Sequence, residues 1–258
     1  MTQPKLAVQK GRDRYYEDPV SGLSLPSVTT VGKSFRAWGL EMWKVKMTAE
    51  RAVKNIARLE EMSSWDEQEA IKWLSAASSD YASEAGDAGD RVHEALENYA
   101  YGEPLKVDAE WEKSVMDFLD TCDPEFLFAE LSIFNPSIGY AGSLDAIAEM
   151  TVPMDRISGE EERGTYLVDY KTTKSVYPFE LGMQLAALAH GTYGLDDDNE
   201  PIFLPKLDGA VIVHFKKDEK AELYLFSDLN APFQAFVGLL KAFNGEKESK
   251  KGWMKRVR

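Results

Sequence analysis

Two kinds of hydrophobic spacing alternate along this chain, and they divide it near position 125. Between residues 34 and 101 apolar side chains recur every three or four positions, which predicts helices over about 40–62, 65–79 and 85–101, with a fourth over 110–120. From Phe126 the spacing drops to two. Residues 126–134 and 140–150 read as strands joined by a turn over Asn135-Pro136-Ser137-Ile138-Gly139, and 165–171 as a third strand after a charged loop at 155–164. A helix over 178–193, an acidic loop at Asp196-Asp197-Asp198, strands at 210–216 and 221–226 and a closing helix over 232–244 complete the pattern. Ahead of all this, residues 11–30 read as a short hairpin turning over Asp18-Pro19-Val20-Ser21-Gly22.

Helices first, then strands interleaved with helices, predict an α/β core with a central mixed sheet flanked by helices and an N-terminal helical layer. The expected layout is one domain over 1–246, with a helical part at about 33–121, a sheet core at about 125–246 and a basic tail at 247–258. A length of 258 residues and 44% hydrophobic content suffice for such a core. No apolar run is long enough to span a membrane, and the first residues lack the apolar stretch of a secretory signal, so a soluble cytoplasmic protein is expected. The single cysteine, Cys122, excludes an internal disulfide, a cysteine-rich zinc site and a four-cysteine iron–sulfur cluster within one chain.

Charge narrows the function classes. Thirty basic residues against 44 acidic ones give a net charge of −14, so the surface as a whole repels phosphate. Any dealing with nucleic acid must be local. Arg36, Lys44, Lys46, Arg51, Lys54 and Arg58 concentrate positive charge around the first long helix, which makes Arg36, Lys44 and Arg51 candidates for a DNA-backbone track. Trp38, Trp43, Trp65, Trp73 and Trp111 can stack bases, but their helical spacing fits a core equally.

The densest chemistry lies on the predicted sheet. Asp169 and Lys171 alternate on one strand and therefore share a face, and Asp145 stands on the preceding strand, 24 positions earlier. Two carboxylates and an ammonium in one pocket suit metal-assisted phosphodiester hydrolysis, with Mg²⁺ or Mn²⁺ on the carboxylates and Lys171 opposing charge that develops on the phosphate. His93, in Gly89-Asp90-Arg91-Val92-His93-Glu94, can complete the coordination together with a strand carbonyl. Glu130 joins the apolar stripe of its strand only if the register shifts, and is either an exposed strand residue or a secondary active-site carboxylate. Gln184, alone on an apolar helix, needs a hydrogen-bond partner, and an active-site carboxylate would serve. Ser27, Thr29 and Thr30 can present hydroxyls to a phosphate or cap the helix they precede. Thr172 and Thr173, next to Lys171, are further candidate DNA contacts, whereas His190 and His214 are assigned no role.

Taken in order, Leu25-Pro26-Ser27-Val28-Thr29-Thr30-Val31, Gly89 to His93, Gly142-Ser143-Leu144-Asp145, Asp169-Tyr170-Lys171 and Gln184 resemble the motifs of the PD-(D/E)XK nuclease superfamily, in its RecB-like exonuclease branch. That branch includes a mitochondrial genome maintenance exonuclease, CRISPR-associated members and similar proteins of actinobacteriophages. The resemblance implies a restriction-endonuclease-like core and a DNA exonuclease in which His93, Asp145, Asp169 and the Tyr170 carbonyl hold the metal and Lys171 is the catalytic lysine. Single-stranded ends are the expected substrate, in recombination, repair or replication, with a recombination or single-strand-binding protein as a possible partner and a phage or bacterial setting. Two departures stand out. Leu188 occupies the place where the family usually has Tyr, four residues after Gln184, and the cluster cysteines of some members are absent, which favours the type without an iron–sulfur cluster. The alternatives are a structure-specific endonuclease of the same fold, a catalytically silent DNA-binding recombination accessory protein, and a phosphohydrolase of sugars or nucleotides.

Overall fold

A computed structural model describes residues 6–33, 37–154, 159–196, 198–249 and Gly252. The chain falls into two compact units, one formed chiefly by residues 36–90 and the other by residues 2–35 and 91–258. Arg36 lies outside the described residues, as does most of the basic tail.

The smaller unit is helical. The single helix expected over 40–62 is two, α2 (Ala37–Lys54) and α3 (Ile56–Trp65), after a short α1 (Val28–Lys33) that belongs to the larger unit. The break falls at Asn55, whose backbone leaves helical geometry and whose side-chain amide donates to the Arg51 carbonyl at 2.9 Å. Next comes α4 (Glu67–Ser75), started by Asp66, whose carboxylate accepts the Gln68 and Glu69 amides as an N-cap should. The division between the units falls within α5 (Ala77–Ala100).

The larger unit is a mixed α/β layer structure. It opens with β1 (Ala7–Lys10), β2 (Asp13–Glu17) and β3 (Ser24–Pro26), a three-stranded antiparallel sheet that adds one strand to the expected hairpin. After α6 (Ala109–Cys122) come β4 (Glu125–Asn135), β5 (Tyr140–Pro153), β6 (Glu161–Lys171), α7 (Pro178–Ala189), β7 (Tyr193–Leu195), β8 (Pro201–Ile202), β9 (Gly209–His214), β10 (Glu222–Phe226) and α8 (Asn230–Ser249). Seven of these strands form one sheet in the order β10-β9-β6-β5-β4-β7-β8. Only β6 and β9 run parallel. β9, Gly-Ala-Val-Ile-Val-His, is buried at every position, as a strand covered on both faces must be.

One face of the sheet packs on α1, α7 and α8 through Val28, Val31, Leu185, Leu188, Phe236 and Leu240. The other carries an aromatic group of Phe118, Tyr170 and Phe215, with ring centroids 5.8 to 6.2 Å apart. Gly142 is where α7 and α1 come closest to β5: a Cβ there would lie 2.7 Å from Leu188 Cδ2 and 3.3 Å from Val28 Cγ2.

Two expectations change. The helix over 178–193 stops at Ala189, and Tyr193–Leu195 instead pairs with the edge of β4. Tyr193 stacks on Phe134 at 5.8 Å, which holds that short strand in place. Lys247 is no part of a loose tail, since it sits on α8, lies 3.3 Å from Asp13 and covers the Tyr15 and Phe243 rings. Among the described residues no helix is long and apolar enough to cross a membrane.

Candidate metal centre

The site lies where the sheet forks. β5 pairs with β6 only as far as Ala146 opposite Val168, and beyond that point β5 follows β4 while β6 follows β9. Asp145 and Asp169 are the first residues past the parting. The Tyr170 amide, which no longer has a ladder partner on β5, donates to Asp145 Oδ2 at 2.7 Å.

β4 is distorted at the same level. Its register on β5 shifts between Phe126 and Phe128, and Glu130 has φ +49°, in the left-handed region that a glutamate adopts only at a cost. Glu130 lies between the pairs Ala129–Ala146 and Leu131–Leu144, so it faces the stretch of β5 that carries Asp145. The register shift that Glu130 needs in order to turn inward is therefore present. Its carboxylate stands 3.5 Å from the Ser143 hydroxyl.

α5 supplies the imidazole. His93 Nε2 donates to the Tyr170 carbonyl at 3.1 Å, which leaves Nδ1 facing Asp145 Oδ2 at 3.6 Å, and the ring meets the Tyr170 ring edge-on. Donation from one ring nitrogen to a carbonyl fixes the tautomer and aims the other nitrogen, the usual arrangement around a ligating histidine. His93, Glu130 and Asp145 each offer a ligand atom within 4.8 Å of the other two.

Asp169 is 3% exposed, ion-paired with Lys171, and 3.4 Å from the Gln184 amide nitrogen. Lys171 also donates to the Tyr170 carbonyl at 3.2 Å. Thus the three groups that converge include Glu130, where Asp169 was expected, and the Tyr170 carbonyl accepts hydrogen bonds from His93 and Lys171. Asp169 remains close enough to Asp145 and His93 to perturb both.

The electrostatics reflect crowded carboxylates. Burial pushes Glu130 up, and Asp145 and Glu97 push it further, to about 7. Burial alone would lower His93, but the Asp145 carboxylate outweighs it and raises the imidazole to about 9. Burial also opposes charge on Asp145, yet His93 and Lys171 hold its carboxyl below the usual range. Burial raises Asp169 against the pull of Lys171. Negative charge held together at the expense of solvation is what a divalent cation would relieve.

The other candidates separate clearly. Ser27 Oγ accepts the Thr30 amide at 3.0 Å, and the Thr30 hydroxyl, buried, accepts the Arg14 amide at 2.9 Å. Those two residues lock α1 onto β2, whereas Thr29 is exposed and touches Ser27 at 3.1 Å. Thr173 bonds Ser175 through its hydroxyl and receives His214 Nε2 on its carbonyl at 2.6 Å, while Thr172 is half-buried in the same loop. His214 thus pins the segment that follows Lys171 and lies 3.6 Å from Glu222, a neighbour on β10 that only the strand pairing reveals.

In the helical unit Lys44 lies on α2. Arg51 is engaged by Asp80 at 2.8 Å, by the Trp73 carbonyl at 2.8 Å and by the Trp73 ring. Lys46 and Lys54 both reach Glu50, and Arg58 covers Trp73. Arg51, Lys46 and Lys54 of the basic track are therefore engaged within their own unit. Trp111 is buried, as its helical spacing allowed. The loop after Lys171 leads to two exposed aromatics that sequence reading passed over, Tyr177 and Phe179.

The sequence matches no protein-family model, and no curated protein is significantly similar to it.

Proposed function

We propose that this chain is a metal-dependent nuclease of the PD-(D/E)XK type, acting on phosphodiester bonds of DNA at single-stranded ends. The observation that carries the reading is the convergence of His93, Glu130 and Asp145 within 4.8 Å, beside the Asp169–Lys171 pair at the sheet fork. One imidazole and two carboxylates form a donor set that suits Mn²⁺ and accepts Mg²⁺ less readily, since Mg²⁺ prefers oxygen throughout. A cation held there would supply Lewis acidity toward a phosphoryl oxygen and a water made acidic enough to attack at neutral pH.

The remaining work falls to the chain. Asp145 is fixed by the Tyr170 amide, and His93 by the Tyr170 carbonyl, so the backbone of one residue orients both groups. Lys171, held by Asp169 and the same carbonyl, keeps its positive charge where a pentacovalent phosphate gains negative charge. Gln184 steadies Asp169 from α7. The apolar packing of α7 on the sheet makes that support rigid.

Digestion of linear and circular single-stranded DNA of one sequence, with Mn²⁺ and then with Mg²⁺, tests the reading. Shortening of the linear form alone, fastest with Mn²⁺, is expected. Cleavage of the circle would make the enzyme an endonuclease, and retention of both forms uncut would leave a DNA-binding protein without activity.

A further inference from the structure

Next to the carboxylates a cleft opens between β2, α1, β5 and α7, lined by Arg14, Tyr16, Ser27, Thr29, Ser143 and Gln184 over a floor of Val28 and Leu188. It is continuous with the metal centre at two points. Ser143 reaches Glu130 at 3.5 Å, and Gln184 reaches Asp169 at 3.4 Å.

Arg14 is the one charged residue of this cleft. It is half-buried beside Tyr16, whose hydroxyl it influences electrostatically, and among the described residues no carboxylate pairs with it. Elsewhere Lys10 pairs with Glu17, Arg91 with Asp108, Arg163 with Glu125, Lys216 with Glu222 and Lys220 with Asp117. A half-buried guanidinium without a carboxylate, set among hydroxyls, matches an oxyanion that accepts a two-pronged hydrogen bond. The hydroxyls supply a second donor. Ser27 Oγ accepts the Thr30 amide and can donate to Thr29, which frees the Thr29 hydroxyl proton for a ligand.

We propose that this cleft binds a phosphodiester group of the substrate strand, the one adjacent to the group being cleaved, with Arg14 as its cation and Thr29 as a hydroxyl donor. This rests on the nuclease reading, because it places a neighbouring phosphate beside a scissile one. It also explains how an acidic protein grips a strand. A half-buried cation in the cleft next to the carboxylates, together with Lys171, does what a broad basic surface does elsewhere, so binding is confined to the chain entering the fork.

The test is fluorescence anisotropy of a labelled single-stranded 12-mer with Ca²⁺ in place of the active metal, using the full chain, Arg14→Ala, Arg14→Lys and Thr29→Ala. Thermal melting of each variant verifies folding, and Arg14→Gln, which keeps a donor for Tyr16, replaces Arg14→Ala if the latter melts early. Arg14→Ala should weaken binding by about tenfold and reduce the slope of log affinity against log salt by about 0.7, the value for one phosphate contact on a single strand. Arg14→Lys should recover part of the affinity and all of the slope. A neutral methylphosphonate moved along the strand should weaken wild-type binding at one linkage and leave Arg14→Ala unchanged there. Equal affinity and slope for wild type and Arg14→Ala would overturn the proposal, even where the wild type cuts DNA. Wild type that shows the Arg14 effect but cuts no DNA would instead overturn the nuclease reading alone, and absence of any binding would overturn both.

Discussion

The backbone N–H of Tyr170 donates to Asp145 Oδ2 over 2.7 Å, so the carboxylate takes the place of the β-ladder partner that β5 withdraws at the fork. Asp145 therefore holds the sheet together as well as facing His93. Asp145→Asn keeps an acceptor for the amide and Asp145→Ala does not. Both should lose metal binding and cleavage, but Asp145→Ala should be less stable by about 2 kcal/mol, since it alone leaves the Tyr170 amide of a buried residue without an acceptor. Chemical denaturation of the two variants beside the wild type checks the difference.

Metal binding should release protons. Without metal, His93 titrates at about 9 and Glu130 at about 7, both raised, so below those values a proton occupies each ligand atom and competes with the cation. Mn²⁺ affinity should accordingly fall about tenfold per pH unit between 9 and 7, and more steeply below 7. Calorimetric titration with Mn²⁺ in two buffers of different ionisation enthalpy reads the proton count directly. In His93→Gln the count should fall by one proton.

Gly142 is where packing allows no side chain. A methyl group at this position would overlap Leu188 and crowd Val28, pushing α7 and α1 away from β5. Gly142→Ala should destabilise the protein by about 1–3 kcal/mol, as overpacking does, measured from its melting temperature. Because Gln184 rides on α7, the variant should also lose activity beyond its loss of stability.

Cys122 is fully buried at the end of α6, and burial, followed by Asp117 and Glu161, pushes its thiol up to about 12. A thiolate is the reactive form, so the native protein should resist aromatic disulfide reagents for hours and react within minutes once denatured. Spectrophotometric thiol titration with and without guanidinium tests this.

Much of the site was legible because its residues lie on regular elements. The period-two run ending in Asp169-Tyr170-Lys171 specifies which two side chains project together. Glu130 was not readable in the same way. Its inward turn depends on a register shift at Phe126–Phe128 and on its own positive φ, and alternation rules carry no information about either. Arg51 illustrates the opposite limit. Sequence shows a cluster of cations around the first long helix, but not that Asp80 and Trp73, distant in the chain, engage the Arg51 guanidinium once the helices pack. Arg14 is the reverse again, an ordinary strand residue in sequence whose lack of a carboxylate partner among the described residues appears only when β2, α1 and α7 meet around it. The fold was clearer than its edges. Central strands are long and apolar, whereas β7 and β8 are too short for any pattern and exist because β4 offers an edge.

The central claim is that Lys171 and the His93–Glu130–Asp145 group form one hydrolytic site. A single-stranded oligonucleotide labelled in turn at each end, incubated with Mn²⁺ and wild type, Lys171→Ala or Glu130→Gln, tests it most directly. Wild type should shorten the strand from one end, and Lys171→Ala should reduce the rate by at least about a hundredfold while its melting curve shows a folded protein. Glu130→Gln should demand a higher Mn²⁺ concentration. Undiminished digestion by Lys171→Ala, or no digestion by the wild type with either Mn²⁺ or Mg²⁺, would contradict it.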